Sequence, residues 1–152
     1  MAGLTNKYIE KMGKRHLKTF VGVFPCNTHP VVAENENFSL IFNESKHSEE
    51  GTHFVAIFAT KHYLYYFDSL GLKLENPYIK LFCQSQGRRL VENKEQVQSF
   101  DSLFCGYFCL CFLKYMETTA NFPSFCGHFS KSNLKLNDLI VTDFLIKLMK
   151  IF

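Results

Sequence analysis

The stretch Gln96–Leu113, Q-V-Q-S-F-D-S-L-F-C-G-Y-F-C-L-C-F-L, decides the reading of this chain. A polar segment runs straight into an apolar one. The spacing predicts a helix over about Leu103–Glu117, apolar nearly all round and therefore buried. Asp101 or Ser102 is the expected cap, because side-chain oxygens there accept from unpaired backbone N–H groups. Cys105 then falls in the first turn, where the helix dipole and free N–H groups favour a thiolate over a thiol. Gly106 would let another backbone or a substrate come close. Gln98, seven residues upstream, is a neutral donor that could reach the same place. Taken alone, the stretch is more simply a core helix that happens to carry cysteines. The rest of the chain decides between the two.

Upstream, two β-rich runs, T-H-F-V-A-I-F-A (52–59) and Y-L-Y-Y-F-D (63–68), read as a hairpin. A turn centred between Thr60 and Lys61 pairs residues whose numbers add to 121, and His53 and Asp68 satisfy that condition. Directly opposed residues have Cβ atoms about 4.5–5.5 Å apart, so the carboxylate could orient the imidazole and raise its pKa. A slip of one residue would send the two side chains to opposite faces.

A thiol nucleophile needs a base, a group that orients the base, and donors for a developing oxyanion. The chain offers His53, Asp68, Gln98 and Cys105 in that order. His53 would take the thiol proton and later give it to the leaving amine. Asp68 would fix the ring, which the plainer reading leaves as a turn residue. Gln98 and the backbone N–H of Cys105 would hold the oxyanion. Gln96 is a rival for Gln98.

Around this constellation the chain reads as an α+β domain over residues 1–152. A small, largely antiparallel or mixed sheet packs on the central buried helix, with further helices outside. Leu4–Leu17 is an amphipathic helix, with Lys7, Lys11, Lys14, Arg15 and Lys18 crowding its polar side and exit. That cluster is a solvated face or a phosphate-contacting patch. Phe20–Phe24 and Phe38–Phe42 are strand candidates, and Arg88–Glu92 is a third. Asn76-Pro77 opens a helix over Tyr78–Ser85. Thr118–Asn133 reads as a loop and Asn137–Phe152 as a last helix.

Composition narrows the classes. Hydrophobic residues make up 47% and aromatic ones 16%, with seventeen Phe, which suits a packed core and not a disordered chain. A net charge of +3 demands neither nucleic acid nor a membrane surface. The longest apolar run is far short of a bilayer span. Six cysteines without framework spacing, and no apolar leader, point to free thiols inside a cell. Cys105, Cys109, Cys111, Cys126 and His128 lack the usual zinc spacing, so no metal site is expected. His16, His29, His47, His62 and His128 have no comparable frame.

G-T-H-F-V-A-I-F, Y-F-D-S-L-G and the Gln96–Leu113 stretch resemble the adenovirus protease (adenain) family. Its relatives come from other DNA viruses and from Maverick/Polinton transposons. SUMO-specific proteases share the same His, acid, Gln, Cys order. The resemblance covers most of the chain but is specific only at these blocks. It implies a cysteine endopeptidase with the triad His53, Asp68 and Cys105 and an oxyanion hole from Gln98. The substrates implied are virion or capsid precursors cut after Gly-containing motifs. Phe54 stands where the family has Trp, as a wall of the cleft, and Asp68 where the adenoviral enzyme has Glu. At Gly87-Arg88-Arg89 there is no counterpart of the cysteine that binds an activating viral peptide, so covalent activation of that kind is not implied. The remaining expectations from resemblance are DNA as a cofactor at the basic cluster, no required cofactor otherwise, and no membrane partner. They also include a monomer, and a location in the host nucleus and virion and not outside the cell. A protease of ubiquitin-like modifiers and a non-catalytic binding domain stay open as alternatives.

Overall fold

A computed structural model describes residues 4–45 and 53–150 of the chain. Five strands form one mixed sheet in sequence order: β1 (Phe20–Pro25), β2 (Phe38–Asn43), β3 (Phe54–Ala59), β4 (Tyr63–Phe67) and β5 (Arg89–Glu92). β2–β3 and β3–β4 are antiparallel; β1–β2 and β4–β5 are parallel. Five helices accompany it: α1 (Asn6–His16), α2 (Pro77–Ser85), α3 (Cys105–Thr119), α4 (Phe122–Gly127) and α5 (Leu134–Met149). This is the α+β architecture expected, with parallel and antiparallel pairs in equal number and not mainly antiparallel ones.

Alternation along the strands divides the core. Leu40, Phe42, Val55, Ile57, Leu64 and Tyr66 face α2, where they meet Ile79, Phe82 and Cys83. Ile41, Phe54, Ala56, Phe58 and Phe67 face α3 and the helices around it. β3 is buried throughout because helices cover both its faces, and its continuous apolar run F-V-A-I-F-A is what such a strand requires. Phe67 stacks on Phe112 of α3 with ring centroids 4.9 Å apart.

Several boundaries differ from the sequence reading for identifiable reasons. α1 starts at Asn6 because the Thr5 hydroxyl accepts from the Tyr8 N–H. The segment 118–133, expected as a loop, contains α4. Asn121 caps it, and Phe122 and Phe125 pack on Phe67 and Phe112. α5 begins three residues earlier than expected, where Asn133 accepts from the Leu136 N–H. Within Gly87-Arg88-Arg89, the Arg88 guanidinium donates to the carbonyls of Ala33, Glu36 and Thr60, so it holds the loop after β1 against the β3–β4 turn.

Candidate active site

The hairpin turn has Lys61 and His62 at its tip, with the Thr60 N–H donating to the Tyr63 carbonyl at 2.9 Å. Ala56 faces Phe67, so paired numbers add to 123 and not to the expected 121. His53 and Asp68 are therefore diagonal neighbours and not directly opposed. A shift of two preserves the face on which each side chain stands. Both residues lie just outside the paired strands, and His53 Nε2 meets Asp68 Oδ1 at 2.8 Å.

Asp68 is fixed from several sides. Its Oδ1 also accepts from the Leu70 N–H at 2.9 Å, an Asx turn built into D-S-L-G. The Gly71 N–H donates to the Asp68 carbonyl at 2.8 Å. Asn93 grips the same backbone twice, accepting from the Asp68 N–H at 2.9 Å and donating to its carbonyl at 2.7 Å. Sequence reasoning missed Asn93. It stands one residue beyond β5, and the only signal was an Asn at a strand end, which is common in turns.

Cys105 is the first residue of α3. Neither expected cap closes the helix. Phe104 takes the cap position without a side-chain bond. Asp101 instead accepts from the Ser99 hydroxyl. The Ser102 hydroxyl accepts from the Phe104 N–H at 3.2 Å and turns toward Asp138 at 2.9 and 3.0 Å. The opening N–H groups of the helix have no acceptor within it. The Cys105 thiol stands close enough to the His53 ring to act on its charge. Nε2 is occupied by Asp68, so the nitrogen left for the sulfur is Nδ1. Burial works against charge on His53, but the hydrogen bonds and charges of Asp68 and Cys105 outweigh it, and its pKa is raised to about 10.

Gln98 is buried, and its amide is oriented at both ends. Oε1 accepts from the Ser69 hydroxyl at 2.5 Å, and Nε2 donates to the Ser102 carbonyl at 2.9 Å. An amide nitrogen carries two hydrogens, so one remains for another acceptor. Gln96, the rival, instead donates to the Gln98 carbonyl at 2.9 Å and acts as a brace.

Two residues expected to meet substrate are placed otherwise. Phe54 is buried in the core against α3. At Gly106, an added Cβ would stand 2.7 Å from Ile9 Cδ1 and 3.4 Å from Leu4 Cβ, so its close neighbour is α1. Lys7, Lys11, Lys14, Arg15 and Lys18 are exposed on α1 and its exit. Cys83, Cys109, Cys111 and Cys126 are pushed up by burial, as expected of thiols in packing roles. His47 lies outside the described residues. Among the described residues no group of three His, Cys, Asp or Glu side chains is placed to hold a metal, and no helix is long and apolar enough to cross a membrane. A surface hollow of about 520 Å³, lined by His29, Val31 and Arg88 among others, does not include His53 or Cys105.

No family model matches the sequence, and no curated protein does. A solved structure does match: the ASFV pS273R protease superposes with a TM-score of 0.65 over 99% of this chain and 69% of its own, at 15% identity. The chain shares its fold with that protein. At that identity the likeness speaks for architecture and not for adenain in particular. A second structure, AvrA delL154 with IP6 and CoA, matches with a TM-score of 0.44 over 73% of this chain and 47% of its own, at 16% identity. That score carries no argument.

Proposed function

We propose that the chain is a cysteine endopeptidase. The observation that carries the reading is the His53 ring held by Asp68 Oδ1 at 2.8 Å, with the Cys105 thiol close enough to act on its charge. In the proposed reaction the Cys105 thiol passes its proton to His53 Nδ1 and the sulfur attacks the scissile carbonyl carbon. The oxyanion is met by the Cys105 N–H and the remaining hydrogen of Gln98 Nε2. The C–N bond then breaks, and the amine leaves with the proton from His53. Water attacks the thioester, giving its proton to His53, and the acid is released as the sulfur departs.

Cys105 keeps only 8% of its surface. A thiol so nearly enclosed favours a scissile residue with little or no side chain, which supports cleavage after Gly. Virion or capsid precursors are the proposed substrates, by the sequence resemblance together with the fold shared with a viral protease. The exposed basic residues of α1 support a weak, salt-sensitive contact with DNA, to be read as binding of a labelled duplex that is lost on raising the salt.

The test is turnover of a panel of Gly-Gly-type peptides and of modifier-derived fluorogenic substrates. Wild type should cleave the peptides, and Cys105→Ala should not. Selective turnover of one modifier would transfer the enzyme to the modifier-processing branch. Turnover that survives Cys105→Ala would eliminate the reading.

A further inference from the structure

Between the end of β5 and the start of α3, residues 93–104 run without helix or strand. This segment carries Gln98 and delivers Cys105, so contacts from outside it must fix its course. The sheet side supplies one set through Ser69. The opening turns of α5 supply another. Asn137, fully buried, donates from Nδ2 to the Val97 carbonyl at 2.8 Å and to the Ser130 carbonyl at 2.9 Å, and its Oδ1 accepts from the Ser130 N–H at 2.7 Å. Asp138, the next residue, accepts from the Ser102 hydroxyl with both carboxylate oxygens, at 3.0 and 2.9 Å. The Ser102 carbonyl in turn accepts from Gln98 Nε2 at 2.9 Å. Two consecutive side chains of one helix thus hold the segment on either side of Gln98, and one of them reaches its amide through a single residue.

Asp138 has a feature that helix packing does not require. Its carboxylate is half-buried, and among the described residues no ion pair reaches it. Burial pushes the carboxyl above its ordinary value, the Ser102 hydroxyl opposes that, and the Asp101 charge adds to it. Withdrawing a carboxylate from water costs stability, and an apolar side chain would pack there at less cost. An acceptor at this place serves the group that it holds. We propose that Asp138 is a positioning residue for Gln98: through the Ser102 hydroxyl it fixes the Ser102 carbonyl, which engages one hydrogen of the Gln98 amide and leaves the other aimed at the oxyanion. The proposal rests on reading Gln98 as an oxyanion donor. Asn137 secures the backbone one residue before Gln98, and Ser69 holds Oε1, so the amide is supported from the sheet and from α5 together.

Asp138→Ala removes the acceptor, whereas Asp138→Asn keeps an oxygen for the Ser102 hydroxyl. The experiment follows the Gln98 side-chain amide by NMR in nitrogen-labelled protein, its signals assigned by their loss in Gln98→Ala, alongside peptide turnover. In Asp138→Ala the Gln98 amide signals should move or broaden, and kcat should fall about tenfold with little change in KM. Asp138→Asn should restore most of both. Amide signals left in place in folded Asp138→Ala, or displaced as far in Asp138→Asn, overturn the proposal. So does a displaced amide with kcat unchanged. Signals that move in Asp138→Ala and return in Asp138→Asn, in a protein that turns over no peptide, support the link from Asp138 to Gln98 and count against the hydrolase reading alone. Ser102→Ala is the second variant if Asp138→Ala does not fold. It deletes the hydroxyl and leaves the carbonyl, the same displacement is expected, and unmoved Gln98 signals overturn the proposal.

Discussion

Ser69 donates its hydroxyl to Gln98 Oε1 at 2.5 Å, and its carbonyl accepts from the backbone N–H groups of both Val97 and Gln98 at 2.9 Å. The residue next to the proposed acid therefore holds the residue proposed for the oxyanion hole. Two functions separated by thirty sequence positions share one fully buried serine.

Ser69→Ala should leave Gln98 Oε1 buried and unpaired. That costs roughly 1–3 kcal/mol of stability. With the amide then held only through Nε2 on the Ser102 carbonyl, kcat should fall about tenfold or more, while KM changes little. Alkylation of Cys105 should be unaffected, because the His53 contact is untouched. A loss of alkylation equal to the loss of turnover would contradict this division of labour.

Asn93→Ala removes two hydrogen bonds to the Asp68 backbone and one to the Glu95 carbonyl. Stability should drop by about 2–4 kcal/mol, given roughly 1–3 kcal/mol for each buried group left unmet and partial relaxation. Asn93→Asp keeps the acceptor and loses the donor, and should rank between Ala and wild type in chemical denaturation. Equal stabilities of all three would remove the clamp from the account.

Gly71 has φ of +71°, and a Cβ there would lie 2.7 Å from the Gln96 nitrogen and 2.8 Å from the Glu95 carbonyl carbon. Both obstacles are backbone and cannot swing away. Gly71→Ala should therefore destabilise by about 2 kcal/mol or more and loosen the Asp68 turn. The check is a denaturation midpoint compared with Gly87→Ala, where φ is +64° but nothing lies within 4 Å of the added carbon. Gly87→Ala should cost clearly less.

The pH dependence has a definite sign. The His53 pKa is raised in the folded protein from an ordinary value of 6.5 to about 10. Its contribution to stability is fully present below about 6.5 and disappears as pH rises through about 10. The wild-type advantage in Tm over His53→Gln should be flat below that window and shrink across it. Turnover should fail on the same alkaline side. A difference that stays constant from pH 6.5 to 10 would show that the ring gains no proton-linked support from folding.

Gly106 and Ile9 offer a packing test. The clash at Gly106→Ala is with Ile9 Cδ1, the flexible end of a side chain. Gly106→Ala alone should cost about 1–3 kcal/mol through overpacking. Combining it with Ile9→Val removes the offending methyl, so the double variant should be more stable than the sum of the single losses. Strict additivity would mean that α1 does not press on the first turn of α3.

What the sequence made legible depends on how local each signal was. The buried central helix and the cap at Asn76 were readable from neighbouring residues. The Asn121 cap carries much the same signal as Asn76, with Pro123 at the second helical position where Pro77 holds the first. It was hidden by the small and polar residues around it, and only the pocket formed by Phe67 and Phe112 makes α4 worthwhile. The hairpin register differs by two from the expected one, yet His53 and Asp68 meet, because period-2 geometry forgives an even slip. The cap of α3 was misread because Ser102 is drawn to Asp138, thirty-six positions away. Asn93 and Ser69 act through contacts that no spacing rule anticipates.

The distribution of the site along the chain has a consequence for synthesis. His53 precedes β3, Asp68 follows β4, Gln98 lies beyond β5, and Cys105 opens α3, whose buried face closes over the finished sheet. A nascent chain that has emerged only as far as the hairpin holds the proposed base and its carboxylate without the proposed nucleophile. The cysteine arrives late and finds its partner only when the strands have joined. On the proposed reading, a partly made copy holds no assembled pair of nucleophile and base.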